Sequence, residues 1–137
     1  MANSRFQYVR EFEEHAVCLR GTFVVVRLDG RGFTKFCARH GFAKPNDARA
    51  AQLMNRCALE VCRQFPEIFL AFGESDEFSF AFRRDTGAFG RRREKLLSTT
   101  VSIFSAAYVF HWPACLGALT PLQEIPQFDG RIVLYPR

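Results

Sequence analysis

The 137-residue chain has no apolar run longer than five residues; the two longest are Ile68 to Phe72 and Ala106 to Phe110. A membrane-spanning helix needs about 18 or more, so none is expected. Nor does the chain contain a C-x-x-C pair. Its five cysteines, at positions 18, 37, 57, 62 and 115, are an odd set without metal-ligand spacing. That pattern argues against a disulfide framework and a zinc site, and fits a reducing compartment. The opening MANSRFQYVREFEEH lacks the charged-then-apolar order of a secretory signal. The Gly-Lys-Ser/Thr ending of a phosphate-binding P-loop is missing, and so is the dinucleotide-binding glycine pattern.

Phenylalanine is abundant, at 16 residues, and the formal net charge is +5. The first predicts an aromatic core. The second suits a polyanionic partner without identifying one. One domain is expected at this length.

The residue pattern predicts a short amphipathic helix or arm within residues 1–21, then a strand over 22–29 covered on both faces. A turn follows at Asp29-Gly30, with a short helix within 32–42. Asn46 or Asp47 caps a stronger helix whose apolar positions, from Ala50 to Phe65, recur at three and four; Pro66 closes it. EIFLAF (67–72) and EFSFAF (77–82), joined by residues 73–76, read as a β-hairpin. A helix from about 89 to 111, a loop over 113–130 and a last strand over 131–136 complete the order. Strand, helix, hairpin, helix, strand is the split βαβ arrangement. The fold class is α+β: a ferredoxin-like, polymerase-palm-like antiparallel sheet with helices packed on one face, incomplete at its C-terminal end.

In that topology the first strand and the hairpin are neighbours, so Asp29 and Asp76 converge. Converging carboxylates are hard ligands for Mg²⁺, which fills its remaining shell with water and substrate phosphate. Asp-Gly is also a common turn and Ser-Asp-Glu a common hairpin tip, so spacing leaves both readings open. The glycines of Asp29-Gly30-Arg31-Gly32 leave backbone N–H groups accessible to an anion beside a helix start. Lys44 and the run Arg91, Arg92, Arg93 and Lys95 supply cations for phosphate, or form a solvated basic face. His15, His40 and His111 have no ligand spacing, and Tyr108, Phe110, His111 and Trp112 read as helix-end packing.

Five blocks, VVVRLDGRGFTKF, HGFAKPND, LAFGESDEFSFAF, the RRREK helix ending in SAAYVFHW, and FDGRIVLYP, resemble the catalytic core of tRNA(His) guanylyltransferases from Phe6 to Pro136. That family adds a guanylate to the 5′ end of histidine tRNA on a palm domain, extending the RNA 3′ to 5′. The resemblance implies that Asp29 and Asp76 bind two Mg²⁺ ions, with the Gly30 carbonyl joining one shell. It also implies that Asp29, Gly30, Arg31, Gly32, Phe33, Thr34, Ser75 and Asp76 contact the nucleotide. Glu77 takes a supporting catalytic role, and Lys44, Arg92 and Lys95 lie near triphosphate groups. The implied course is activation of the tRNA 5′-phosphate by ATP, attack by the GTP 3′-hydroxyl, then pyrophosphate removal.

Glu74 replaces the family's glutamine, Phe78 its tyrosine and Thr34 a frequent histidine. The family's C-terminal elements for tRNA recognition are absent, so residues 1–137 read as a single catalytic palm-like fragment. The expected partners are tRNA(His), GTP and ATP, with tetrameric assembly as in the family and no membrane. The expected setting is intracellular, cytoplasmic or nuclear, with mitochondria left open. Alternatives are a related templated polymerase repairing tRNA 5′ ends, a non-catalytic nucleotide-binding fragment, and a cyclase-like palm that lacks the DGRGFTKF and AKPND blocks.

Overall fold

A computed structural model describes residues 4–137. Four strands, β1 (Phe23–Gly30), β2 (Ile68–Glu74), β3 (Glu77–Phe82) and β4 (Phe128–Tyr135), form one sheet in the order β2-β3-β1-β4. Every neighbouring pair is antiparallel. Three helices, α1 (Phe33–Arg39), α2 (Ala48–Gln64) and α3 (Arg93–Leu116), complete the split βαβ order. Before β1 lies a short 3-10 turn over Gln7–Phe12 with no buried residue.

Alternation decides which face is covered. Val24, Val26 and Leu28 of β1, and Phe80 and Phe82 of β3, are fully buried beneath the helices. Arg27 is exposed and Val25 and Asp29 half-buried on the opposite face. β1 is therefore covered on one side, not both. Its apolar run is explained by Val25, which pairs with Ala81 and Val133 in an apolar band on the open face. The core itself is aromatic: the ring of Phe104 on α3 lies 5.0 Å from Phe128, and Tyr108 lies 5.3 Å from it.

Local signals placed α2 well. The Asp47 carboxylate accepts a hydrogen bond from the Arg49 N–H at 2.9 Å, and Leu53, Met54, Cys57, Ala58 and Val61 form the buried stripe. His40 and Trp112 are structural, as expected. His40 Nε2 accepts from the Gln123 N–H, so Nδ1 donates to the Phe36 carbonyl oxygen. The Trp112 indole donates to the Thr120 carbonyl oxygen. His111 lies on Glu60.

Four boundaries differ from expectation. α3 begins at Arg93 because Phe89, Gly90 and Arg91 adopt left-handed backbone angles (φ 49°, 60° and 61°). It runs past Pro113 because Cys115 and Leu116 are buried, and Gly117 N–H closes the last turn on the Pro113 carbonyl oxygen. The hairpin connection is two residues, Ser75 and Asp76, because β2 continues through Gly73. A Cβ there would sit 2.4 Å from the Phe78 ring, which covers the glycine across the strands.

β4 starts at Phe128, so Asp129-Gly130 lies inside a strand rather than in a loop. A Cβ on Gly130 would approach Leu28 and Leu97 at 2.9 Å and Val101 at 3.0 Å. The glycine permits close packing of β4 under α3. Gly130→Ala should cost about 1–3 kcal/mol through overpacking, read as a lower urea midpoint at unchanged m-value.

Candidate active site at the acidic end of the sheet

Strand register assembles the site. Glu74 pairs with Glu77, Glu77 with Asp29, and Asp29 with Asp129. Directly opposed residues share a face, so these four carboxylates cross the open face in one row. Asp76 adjoins the row from the hairpin turn: its carbonyl oxygen accepts from the Gly30 N–H at 3.1 Å. The Asp29 carboxyl is pushed above its ordinary pKa, first by desolvation, then by repulsion from Asp76, Glu77 and Asp129, with Arg131 opposing. Among charged groups Asp76 contributes most to that rise, and its backbone is tied to Gly30, next to Asp29.

The adjacent row is basic. Arg27 opposes Ser79 on one side and Arg131 on the other. Its guanidinium donates from both Nε and NH2 to Glu77 Oε2. The pair is solvent-exposed and contributes little stability. It fixes the orientation of Glu77.

Below the hairpin turn lies a cavity of about 360 Å³, a size that suits a nucleoside. Its walls come from α1, the 41–47 loop, the start of α2 and the turn, and include Thr34, Lys44, Asp47, Ser75, Asp76 and Tyr108. Asp47 also accepts from the Ala43 N–H at 3.0 Å and pairs with Arg49. These contacts hold its carboxyl far below the usual range, so an ionised Asp47 ties the loop to α2. Phe33 is only 5 % exposed and its ring stacks on Phe36, so it forms the floor. A Cβ on Gly30 would meet that ring at 2.6 Å. Ser75 Oγ donates to Asp76 Oδ1 at 3.2 Å.

Of the residues expected at a nucleotide site, Phe33, Thr34, Lys44, Ser75 and Asp76 line this cavity. Asp29, Gly30 and Glu77 are not among its lining residues; of the three, Gly30 lies against the Phe33 ring and Asp76, at its edge. Arg31 and Gly32 lie in the exposed turn before α1. Arg92 and Lys95 do not line it. Both lie in the first turn of α3, and Lys95 is about 20 Å of helix away from Tyr108. Arg92 donates to the Phe89 carbonyl oxygen instead. Sequence reasoning missed Asp129, hidden in a stretch read as loop, and Asp47, read only as a helix cap. It also missed Arg27, whose role needs the register.

Among the described residues, no three His, Cys, Asp or Glu side chains are gathered into a ready metal cage. Mg²⁺ takes one or two carboxylates and completes its shell with water and substrate phosphate. The mutually repelling Asp29 and Asp76 provide a donor set of that kind.

An antiparallel split-βαβ sheet with one helical face, carboxylates at one end of the open face and a nucleoside-sized cavity beside them is a palm-like domain of the nucleotidyltransferase class. Residues 6–136 match the model of the family described as tRNAHis guanylyltransferase. The chain belongs to that family. It is 48% identical over 136 residues to a probable tRNA(His) guanylyltransferase of Dictyostelium discoideum, covering 99% of this chain and 53% of that protein. It is 51% identical over 137 residues to the tRNA(His) guanylyltransferase of Neurospora crassa, covering 99% and 47%. The crystal structure of the Saccharomyces cerevisiae tRNA(His) guanylyltransferase superposes with a TM-score of 0.91 at 42% identity, covering 97% of this chain and 59% of that one. A bacterial tRNA(His) guanylyltransferase-like protein in complex with GTP shares the fold at TM-score 0.77 and 22% identity, covering 95% and 60%. The chain spans about half the length of the curated relatives it matches. No helix among the described residues is long and apolar enough to cross a membrane.

Proposed function

We propose that this chain carries the nucleotidyl-transfer site of a tRNA(His) guanylyltransferase, adding a guanylate to the 5′ end of tRNA(His) after activation by ATP. The observation that carries this reading is the position of Asp76. It is at once the strongest charged neighbour of Asp29 and a wall of the nucleoside-sized cavity. A phosphate chain leaving a base in that cavity passes directly to the carboxylate row.

Asp29 and Asp76, with the Gly30 carbonyl, would hold two Mg²⁺ ions. Such ions stabilise the attacking and leaving oxygens of an in-line displacement at phosphorus. The remaining work belongs to the chain. Phe33 and Tyr108 supply the apolar floor on which a base rests. Lys44 offers a charge to the phosphates, and the exposed turn of Arg31 and Gly32, with Thr34 and Ser75, offers polar contacts to the nucleotide. Glu77, held by Arg27, supports the row. Arg92 and Lys95 remain available to a triphosphate reaching beyond the cavity. No side chain is needed as a nucleophile, since positioning and charge neutralisation suffice for displacements at phosphorus. The five free cysteines suit a reducing intracellular compartment, cytoplasmic or nuclear, and assembly as a homo-oligomer belongs to the same reading.

The test is incubation with 5′-labelled, 5′-monophosphorylated tRNA(His), ATP, GTP and Mg²⁺. A product one nucleotide longer supports the proposal. An adenylylated end without extension favours a fragment that only activates. No change to the RNA, together with no effect of GTP and Mg²⁺ on Tm, overturns the assignment.

A further inference from the structure

A second concave site lies at the far end of β1. It has a volume of about 520 Å³ and is bounded by residues from Val17 to Gly21 and from Arg84 to Arg91. Its charged lining is Arg20, Arg84, Arg91 and one carboxylate, Asp85. Among the described residues, none of the three guanidiniums pairs with a carboxylate. Arg91, 5 % exposed, donates to the carbonyl oxygens of Cys18, Leu19, Thr22, Arg84 and Thr86. Arg84 Nε donates to the Gly21 carbonyl oxygen, and its guanidinium carbon lies 5.6 Å from the centre of the Phe23 ring. Arg20 is exposed and makes no hydrogen bond or ion pair among the described residues.

A surface arginine is ordinarily just solvated. Here two guanidiniums are fixed by backbone acceptors, and the buried one has five carbonyl dipoles and the Thr22 hydroxyl, but no carboxylate among the described residues, to offset its charge. Burial weakens screening by water, so the cavity keeps a positive potential. Asp85 pairs with none of the cations, so it leaves their charge available to a ligand.

Position gives the site its meaning. By alternation, Phe23 lies on the same open face as Asp29, six residues away, or about 20 Å at the rise of a strand. Arg84 overhangs Phe23, so the basic cavity ends the face that begins at the carboxylates. Arg27 and Arg131 lie between them. The cavity near Asp76 has room for about one nucleoside. A second anion site about 20 Å away has no use for a mononucleotide. A polynucleotide strand carries a phosphate about every 3.4 Å along its axis, so about six nucleotides cover the distance. Contacts of this kind position a nucleic acid without reading its sequence.

We propose that the cavity formed by Arg20, Arg84 and Arg91 binds a backbone phosphate of the RNA substrate, about six nucleotides from the reacting 5′ end. This rests on the RNA-modifying reading above.

The test compares the wild-type chain with Arg20→Gln and the double variant Arg20→Gln/Arg84→Gln, binding a 5′-monophosphorylated tRNA transcript between 50 and 200 mM KCl. For the double variant, which loses the one phosphate contact, the slope of log Kd against log salt should fall by about one, and the Kd at 100 mM salt should rise about tenfold or more. Arg20→Gln, which removes no internal hydrogen bond, should lose part of that unit of slope. The rise in Tm with GTP and Mg²⁺ should be unchanged in both, and the Tm itself unchanged in Arg20→Gln; the double variant, which also loses the exposed Arg84–Gly21 hydrogen bond, should melt within a few degrees of wild type. An unchanged slope, or wild-type chain that fails to bind the transcript at 50 mM salt, overturns the proposal. So does loss of affinity only in the double variant together with a Tm lowered by more than those few degrees, which would make Arg84 structural. Inorganic phosphate is the second probe: a variant-sensitive rise in Tm with phosphate but no change in RNA slope identifies a free-anion pocket and overturns the RNA assignment. Should GTP and Mg²⁺ leave the wild-type Tm unmoved while the slopes fall as stated, the nucleotide reading fails and the phosphate site stands.

Discussion

Asp29→Asn should abolish the Mg²⁺-dependent rise in Tm that GTP produces, lower guanylate addition about a thousandfold or more, and yet stabilise the ligand-free chain. The first two effects follow from losing a hard anionic oxygen where phosphate charge must be neutralised. The third follows from the row itself. Asp29 is desolvated and surrounded by Asp76, Glu77 and Asp129, which raises its pKa in the folded state. A raised carboxyl pKa means that the folded chain binds a proton more tightly than the unfolded one. Stability therefore rises as pH falls through that pKa, and at neutral pH the charge opposes folding. Removing it should raise the Tm of the ligand-free chain by a few degrees, and the gain should fade as the pH is lowered and Asp29 protonates. Asp47 has the opposite linkage. Its pKa is held low by Arg49, so its contribution is present at neutral pH and lost in acid. Thermal melts of ligand-free protein from pH 8 down to about 2 separate the two, since the Asp47 contribution is lost only below the ordinary carboxylate pKa. A Tm below wild type at pH 7 for Asp29→Asn would contradict the repulsion account. A retained GTP–Mg²⁺ response would remove Asp29 from the site.

What the sequence discloses about this fold is what short-range chemistry decides. The capped amphipathic pattern of α2, the alternation of Phe78, Phe80 and Phe82, and the element order all follow from neighbours within a few residues. So did the convergence of Asp29 with Asp76, because a split βαβ order puts the first strand beside the hairpin. Glycines were ambiguous. Gly73 and Gly130 look like turn residues, yet both sit inside strands because the Phe78 ring or helix α3 comes too close for a Cβ. That misreading also concealed Asp129, the fourth member of the row. The basic run at 91–95 misled differently. Arg91 is absorbed into the protein, Arg93 reaches the Ile132 carbonyl oxygen, and Arg92 and Lys95 lie off the cavity. Contacts over seventy residues, such as Arg91 with Cys18 and Leu19, leave no local trace.

The buried arginine gives the largest stability effect expected here. Arg91→Lys should lower unfolding free energy by about 2–5 kcal/mol, which amounts to a Tm lower by roughly 10 °C or more. Its guanidinium serves five carbonyl oxygens in two segments, the approach to β1 and the turn after β3. Lysine brings three donors from one point, so at least two buried acceptors lose their partner, at about 1–3 kcal/mol each. The backbone cross-links Cys18 N–H to Arg91 O and Arg93 N–H to Ala16 O depend on the same arrangement. Arg91→Met distinguishes acceptor loss from charge burial. Replacing a buried ion pair by apolar groups is often neutral, because both charges leave together. Here the partners are carbonyls that stay behind. Methionine should therefore cost at least as much as lysine despite removing a buried charge. Urea unfolding of both variants at constant m-value reads this directly, and a near-neutral Arg91→Met would show that the carbonyls reach water without the guanidinium.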